Sequence, residues 1–356
     1  MLTEIGVLLG GEGPRDVRSD RTGEMTVQEV DDGTPGILVP ERLIRAPQTV
    51  SPQAQAILAR PPLFDPEPAP DVADKAGWRA YIARQDAVLA GFMQRKLVTH
   101  PAKIVTHHLS AAPLYALTPD SLSATNDGCA ILFLHGGGFT LGGGMAAAYA
   151  ALSLASRARS RIYALDYRMP PDHPYPAAVD DAVEAYCWLL ERYEPQNLAL
   201  YGPSAGGNLA AACLLRARDL GAPLPAACAL HSPAADATEA GDTYQTNATI
   251  DVVLRRRSPE LYALYADGHD LKDPLISPLF GDFSRGFPPT ILTSGTRDLL
   301  LSSTVLLHRA LRRAGIEAEL HVWEAMTHGG FFGIAPEDEE LLAEQIRFMF
   351  AHMTLL

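Results

Sequence analysis

One serine stands in a frame that suits nucleophilic attack. It is Ser204, within Gly202-Pro203-Ser204-Ala205-Gly206 of the run LALYGPSAGGNLAA. An apolar strand candidate ends at Gly202, and a helix-forming run begins after Gly207. A nucleophile on so sharp a strand-to-helix turn has strained dihedrals, and side chains two positions to either side would collide. The turn exposes the hydroxyl at a helix N-terminus, whose dipole favours a developing anion. A second run, ILFLHGGGFTLGGG, places His135-Gly136-Gly137-Gly138 just past another apolar strand. Successive glycines let backbone N–H groups face the oxyanion that acyl transfer creates. A phosphate loop fits less well: no Gly-Lys-Ser or Gly-Lys-Thr follows, and the spacing is not a dinucleotide fingerprint.

Two more runs, SGTRDLLL and AMTHGGFF, follow strand candidates and supply Asp298 and His328. In chain order Ser204, Asp298 and His328 are nucleophile, acid and base. The histidine would take the serine proton and return it to the leaving group. The carboxylate would hold its tautomer and stabilise the imidazolium. Asp236 is the rival acid, since it too follows a strand candidate. Asp166, Asp172, Asp180 and Asp181 read as structural, one of them a tie for the loop near the oxyanion glycines. His107 and His108, adjacent on an early strand, face opposite ways and make a poor metal pair. His173, His231, His269, His308 and His321 have no convincing acid or nucleophile partner in sequence. The basic helix face around His308, Arg309, Arg312 and Arg313 reads as solvated. No His/Glu set stands at ligand spacing, so neither metal nor cofactor is expected.

The elements that must position these residues are legible from about residue 103. Apolar strand candidates lie at Cys129–His135, Arg161–Tyr167, Leu198–Gly202, Ala226–Ser232, Thr290–Ser294 and Glu319–Trp323. Helix candidates lie between them at Met145–Arg159, Ala177–Tyr193, Gly206–Asp219, Ser303–Gly315 and Glu337–His352. Strands apolar along most of their length and alternating with helices predict an α/β fold, a mostly parallel sheet covered on both faces. Residues 236–285 interrupt the alternation and read as an insertion at the carboxyl edge of the sheet, where such folds bind ligands. Upstream, residues 1–50 are rich in Gly, Pro and acids and read as draped over a larger body or partly disordered. Residues 51–75, with PPLFDPEPAP, read as an extended connector. Residues 76–97 carry apolar groups at helical spacing and predict an amphipathic helix.

The chain has 356 residues, of which 47% are hydrophobic and 20% charged, an ordinary soluble composition. Its 29 basic and 42 acidic residues leave a net charge of −13, which argues against nucleic acid and anionic membranes as partners. The four cysteines, Cys129, Cys187, Cys213 and Cys228, sit in apolar runs. They predict buried free thiols, and with them a reducing, cytoplasmic setting. No run reaches the ~18 apolar residues of a membrane span, and no basic region precedes the short apolar stretch near the start.

HGGGF about 70 residues before GxSxGG, then Asp and His, resembles the hormone-sensitive-lipase-like esterases of bacterial family IV. DYRMPPDHPYPAAVDDA, LHSPAAD, DPLISPLF and FPPTILTSGTRDLLL resemble the family's connecting segments, so the resemblance spans roughly residues 100–356. It implies the α/β-hydrolase fold with a helical cap, a serine carboxylesterase acting on short or medium acyl chains, and a homodimer. By motif position the oxyanion hole is the amides of Gly137, Gly138 and Ala205. The family usually has Asp or Thr directly before the serine. Pro203 stands there instead, which removes a carboxylate that braces neighbouring loops.

The domain expectation is a catalytic body over residues 101–356. Residues 1–100, with part of 236–270, form an N-terminal extension and cap. Trp78, Tyr81, Phe92 and Met93 are its candidate substrate contacts. A lactonase or amidase would use the same machinery. A non-catalytic hydrolase-fold binding protein would typically have lost a triad member. A nucleotide-binding enzyme would need a ribose-binding acid where this chain has alanines.

Overall fold

A computed structural model describes residues 26–29, 35–39, 41, 43–60, 68–94 and 96–355. The chain divides into two compact units, residues 1–45 and 46–356. In the first, β1 (Thr26–Glu29) pairs antiparallel with β2 (Pro35–Leu38). Most of the remaining Gly- and Pro-rich start lies outside the described residues.

The second unit begins with α1 (Pro52–Leu58), α2 (Lys75–Gln94) and α3 (Lys96–Thr99), followed by β3 (Ala102–His108) and β4 (Pro113–Pro119). Next come β5 (Ala130–Leu134), α4 (Met145–Ala158), β6 (Arg161–Leu165), α5 (Ala177–Leu190) and β7 (Leu198–Pro203). They are followed by α6 (Ala205–Asp219), β8 (Ala227–His231), α7 (Thr243–Thr246) and α8 (Pro259–Ala266). The chain closes with β9 (Thr290–Gly295), α9 (Leu301–Arg313), β10 (Ala318–Trp323) and α10 (Pro336–His352). β3 to β10 form one sheet in the order β10-β9-β8-β7-β5-β6-β4-β3. β4 runs against both neighbours, and the other pairs are parallel.

Alternation along β5 shows why its run is apolar throughout. Ala130, Leu132 and Leu134 join a core built with α5, α6 and α9. Ile131 and Phe133 join a second core on the other face with α4 and α10. A strand with helices on both faces has no polar side. Each leucine or isoleucine fully buried this way contributes about 1.5–3 kcal/mol. The strand order reverses at β5, whose neighbours are β7 and β6, so the ends of β5 and β7 open a crevice at the switch point. Both glycine motifs sit there.

Two sequence expectations change. The connector over 51–75 contains α1, because Ser51 caps Ala54 N–H and Pro52 takes the first helical position. Residues 61–67 of that stretch lie outside the described residues. The helix expected over 76–97 is present as α2 and α3, with residue 95 between them outside the described residues. Cys187 is exposed on α5, while Cys129, Cys213 and Cys228 are buried. β4 escapes the sequence pattern because a proline stands at each of its ends. Residues 236–285 hold no strand, as expected, but they do hold α7 and α8. Among the described residues no helix is long and apolar enough to cross a membrane.

Candidate active site

β7 runs straight into α6 through Ser204, which has φ 56° and ψ −121°. Such a conformation costs a non-glycine residue about 1–3 kcal/mol and persists only where its surroundings hold it. Here Ser204 N–H donates to His231 O at 2.8 Å, and its carbonyl accepts from Asn208 N–H and Ala234 N–H, each at 3.1 Å. The glycines on either side are obligatory. A Cβ at Gly202 would lie 2.1 Å from Gly206 O, and one at Gly206 would lie 1.9 Å from Leu134 O. Pro203 pairs across to His231 of β8, so the residue that replaces the usual acid simply extends the strand.

The Ser204 hydroxyl is 2.8 Å from His328 Nε2, and His328 Nδ1 is 3.0 Å from Asp298 Oδ1. Asp298 also accepts from Ser294 Oγ at 2.6 Å and from Leu300 N–H at 2.9 Å. Burial alone would raise the Asp298 carboxyl. The His328 charge and these hydrogen bonds outweigh it and hold Asp298 below the usual carboxylate range. Burial likewise works to lower His328, but the charge and hydrogen bond of Asp298, then the charge of Asp251, raise it above an ordinary histidine. The rival acid, Asp236, is spent elsewhere: its Oδ1 accepts from Thr238 N–H at 2.9 Å and Thr238 Oγ1 at 2.6 Å.

A neutral imidazole must accept the serine proton, so kcat/KM should fall at acid pH as His328 becomes protonated. Because His328 is raised, this acid limb is expected on the alkaline side of an ordinary histidine's. A pH profile on a substrate without titratable groups checks it.

The loop after β5 lies against the same turn. A Cβ at Gly136 would come 3.1 Å from Pro203 O and 3.4 Å from Ser204 Cβ. Gly137 and Gly138 have φ 112° and 60°, values that only glycine adopts without strain at the first and with little at the second. Asp86 of α2 accepts from Gly142 N–H at 2.8 Å, and Asp166 accepts from Gly144 N–H at 2.9 Å and Tyr115 hydroxyl at 3.2 Å. Asp166 is therefore the tie expected for this loop. Asp181 instead grips Arg168, and Asp172 grips Arg79 of α2. His135 is buried, stacks on Tyr167 with centroids 4.1 Å apart, and approaches Gly136 O at 2.7 Å.

The family model of the alpha/beta hydrolase fold matches residues 131–332, which span this entire arrangement. The chain belongs to the α/β hydrolase fold family. Among solved structures, that of an esterase matches this hydrolase with TM-score 0.83 at 35% identity, covering 89% of this chain and 99% of that one. An esterase of the bacterial hormone-sensitive lipase family matches with TM-score 0.71 at 30% identity, covering 85% and 99%. An acetyl-hydrolase of Streptomyces hygroscopicus is 38% identical over 210 residues, 58% of this chain and 69% of its own. An ethyl acetate hydrolase of Pseudomonas putida is 29% identical over 265 residues, 72% and 82% of the two chains. The hydrolase is of the hormone-sensitive-lipase-like kind.

In this hydrolase Ser204, His328 and the loop Gly136–138 line a cavity of about 530 Å³. Of the substrate contacts expected from sequence, Trp78, Tyr81 and Met93 line it, and the side chain of Phe92 lies outside the described residues. Phe133, Tyr201, Leu261 and His231 line it too, and no sequence pattern marked them. His231 also faces Thr293 Oγ1 at 2.9 Å, and burial pushes it down to about 4, so it is neutral near pH 7.

The expected oxyanion hole has a direct test at Gly138. A Cβ there would lie 2.8 Å from Leu261 Cδ2 in a left-handed backbone. Shifting this donor by Gly138→Ala should cost about 100-fold in kcat, the usual worth of one oxyanion donor. Steady-state kinetics on a p-nitrophenyl ester, with Tm as the folding control, check it.

Proposed function

We propose that the chain is a serine carboxylesterase in which Ser204 attacks the ester carbonyl, His328 carries the proton and Asp298 orients His328. The chain is a carboxylester hydrolase of the α/β hydrolase family. The observation that carries the residue roles is the unbroken line from Asp298 through His328 to Ser204 at the wall of the cavity. Attack passes the serine proton to His328 Nε2, and the oxyanion forms toward the amides of Gly137, Gly138 and Ala205. His328 then protonates the departing alcohol. Water, deprotonated by the same imidazole, hydrolyses the acyl-enzyme and regenerates Ser204.

Residues 46–100 and part of 236–270 act as a cap in this reading. Trp78, Tyr81 and Met93 from the first stretch and Val253, Leu254 and Leu261 from the second wall the cavity. Its size and apolar walls suit a small or medium acyl chain. The enzyme acts in the cytoplasm as a homodimer, on soluble small esters.

The test is hydrolysis of p-nitrophenyl esters from acetate to dodecanoate, beside a γ-lactone and a p-nitroanilide of matched size. The expected result is turnover falling beyond medium chain length and little action on the anilide. Turnover of the lactone alone would move the assignment to a lactonase. Analytical ultracentrifugation reads the oligomeric state.

A further inference from the structure

We propose that Asp251 is a positioning residue for the triad, a second carboxylate that locks the acid and base loops together and lends its charge to His328. The inference rests on the serine-esterase reading above. Asp251 is fully buried in the inserted segment between β8 and β9. Its Oδ2 accepts two backbone N–H groups at once, from Leu299 at 2.9 Å and from His328 at 3.2 Å. One donor follows the triad acid directly, and the other is the main chain of the triad base. Its Oδ1 accepts from Val253 N–H at 2.8 Å and Leu254 N–H at 3.2 Å, two residues of the cavity wall. One carboxylate therefore joins the acid loop, the base loop and the surface that meets substrate.

The same segment grips the acid loop a second time. Asn247 Nδ2 donates to Asp298 O at 2.8 Å and Thr296 O at 3.2 Å, and Thr243 Oγ1 donates to Leu299 O at 2.8 Å. Those contacts would suffice to anchor a loop. They do not explain why a carboxylate is buried here, because burying a charge is costly unless it is paired. Burial, then the charge of Asp298, raise Asp251, while His328 and the backbone N–H groups favour its ionised form. The titratable groups that face His328 are Asp298 after β9, His231 at the end of β8, and Asp251. Of these, His231 is neutral near pH 7, and the two carboxylates favour the imidazolium. Two carboxylates around one imidazole stabilise the cation that forms as serine attacks.

The experiment compares wild type, Asp251→Asn, Asp251→Ser and Asp251→Glu on a neutral p-nitrophenyl ester across pH. Asp251→Asn keeps the shape but loses the charge and an acceptor. It should lower kcat by about 10- to 100-fold and move the acid limb of kcat/KM downward by about half a pH unit or more. Asp251→Glu should restore the position of the limb while recovering only part of kcat. Asp251→Ser leaves room for water on the orphaned N–H groups and gives the same reading if the asparagine variant does not fold. An unmoved acid limb in a folded variant overturns the proposal, even if kcat falls, because a purely structural tie carries no charge to His328. Fluorophosphonate labelling of Ser204 separates the two levels. Labelling that survives loss of Ser204 overturns the esterase reading itself, whereas normal labelling with an unmoved limb overturns only the role of Asp251.

Discussion

Ser204→Ala is expected to lower kcat for ester hydrolysis by at least about 10,000-fold and to abolish labelling by a fluorophosphonate. The hydroxyl is the only group on that side chain that can form the acyl-enzyme, and His328 Nε2 stands 2.8 Å from it, ready to take its proton. Removing Oγ leaves the cavity and the oxyanion glycines in place, so substrate binding should change little. The residue also escapes its strained φ of 56° only if the turn moves, and three backbone hydrogen bonds, to His231, Asn208 and Ala234, hold that turn. Tm should therefore stay within a few degrees. Residual turnover above about one part in a thousand, or retained labelling, would assign the nucleophile elsewhere.

Asp298→Asn is expected to cost about 10,000-fold in kcat, because an amide facing His328 Nδ1 favours the wrong imidazole tautomer. In that orientation the amide oxygen takes the place of Oδ2 and still accepts from Ser294 Oγ, and Asn247 still holds the loop's carbonyls, so the loop should fold. Asp236→Asn is the matched control. Its carboxylate serves Thr238 and touches neither His328 nor Ser204, so kcat should stay within about threefold while stability drops by about 1–3 kcal/mol. Kinetics and thermal melts on both variants read the contrast. Equal losses of kcat would mean that the acid has been misassigned.

Much of this site is local, and local constraints are legible in residues. Gly202 and Gly206 flank Ser204 because the backbones of β7, α6 and β5 approach too closely for any Cβ. Gly137 and Gly138 recur because the loop after β5 needs left-handed backbone beside the nucleophile. The six apolar strands alternate with helices because a strand sandwiched between two helix layers has no polar face. Asp298 and His328 stand out as single residues just past strand ends, where an open parallel sheet presents its chemistry.

Acids that nothing in the sequence sets apart meet different partners, and Asp251 carried no sequence signal at all. Asp236, Asp251 and Asp298 are all acids in loops on the same side of the sheet. What separates them is the set of donors each meets: Thr238 for Asp236, four backbone N–H groups for Asp251, and His328 with Ser294 for Asp298. Phe133 and Tyr201 read as ordinary strand residues, yet they wall the cavity because their strands end at the crevice. The helix α1 was hidden because Pro52 starts it and the run of prolines from 61 onward lies beyond its end.

The motifs and their order were enough to point to the fold class and the family and to single out Ser204, Asp298 and His328 as candidates, since each motif depends on backbone geometry over a few neighbouring residues. Folding alone set how Ser204 meets a histidine 124 positions away, which acid serves that histidine, and what shape of substrate the cavity admits. Those outcomes depend on side chains from remote segments converging on one point, and no short window of sequence contains both partners of such a contact.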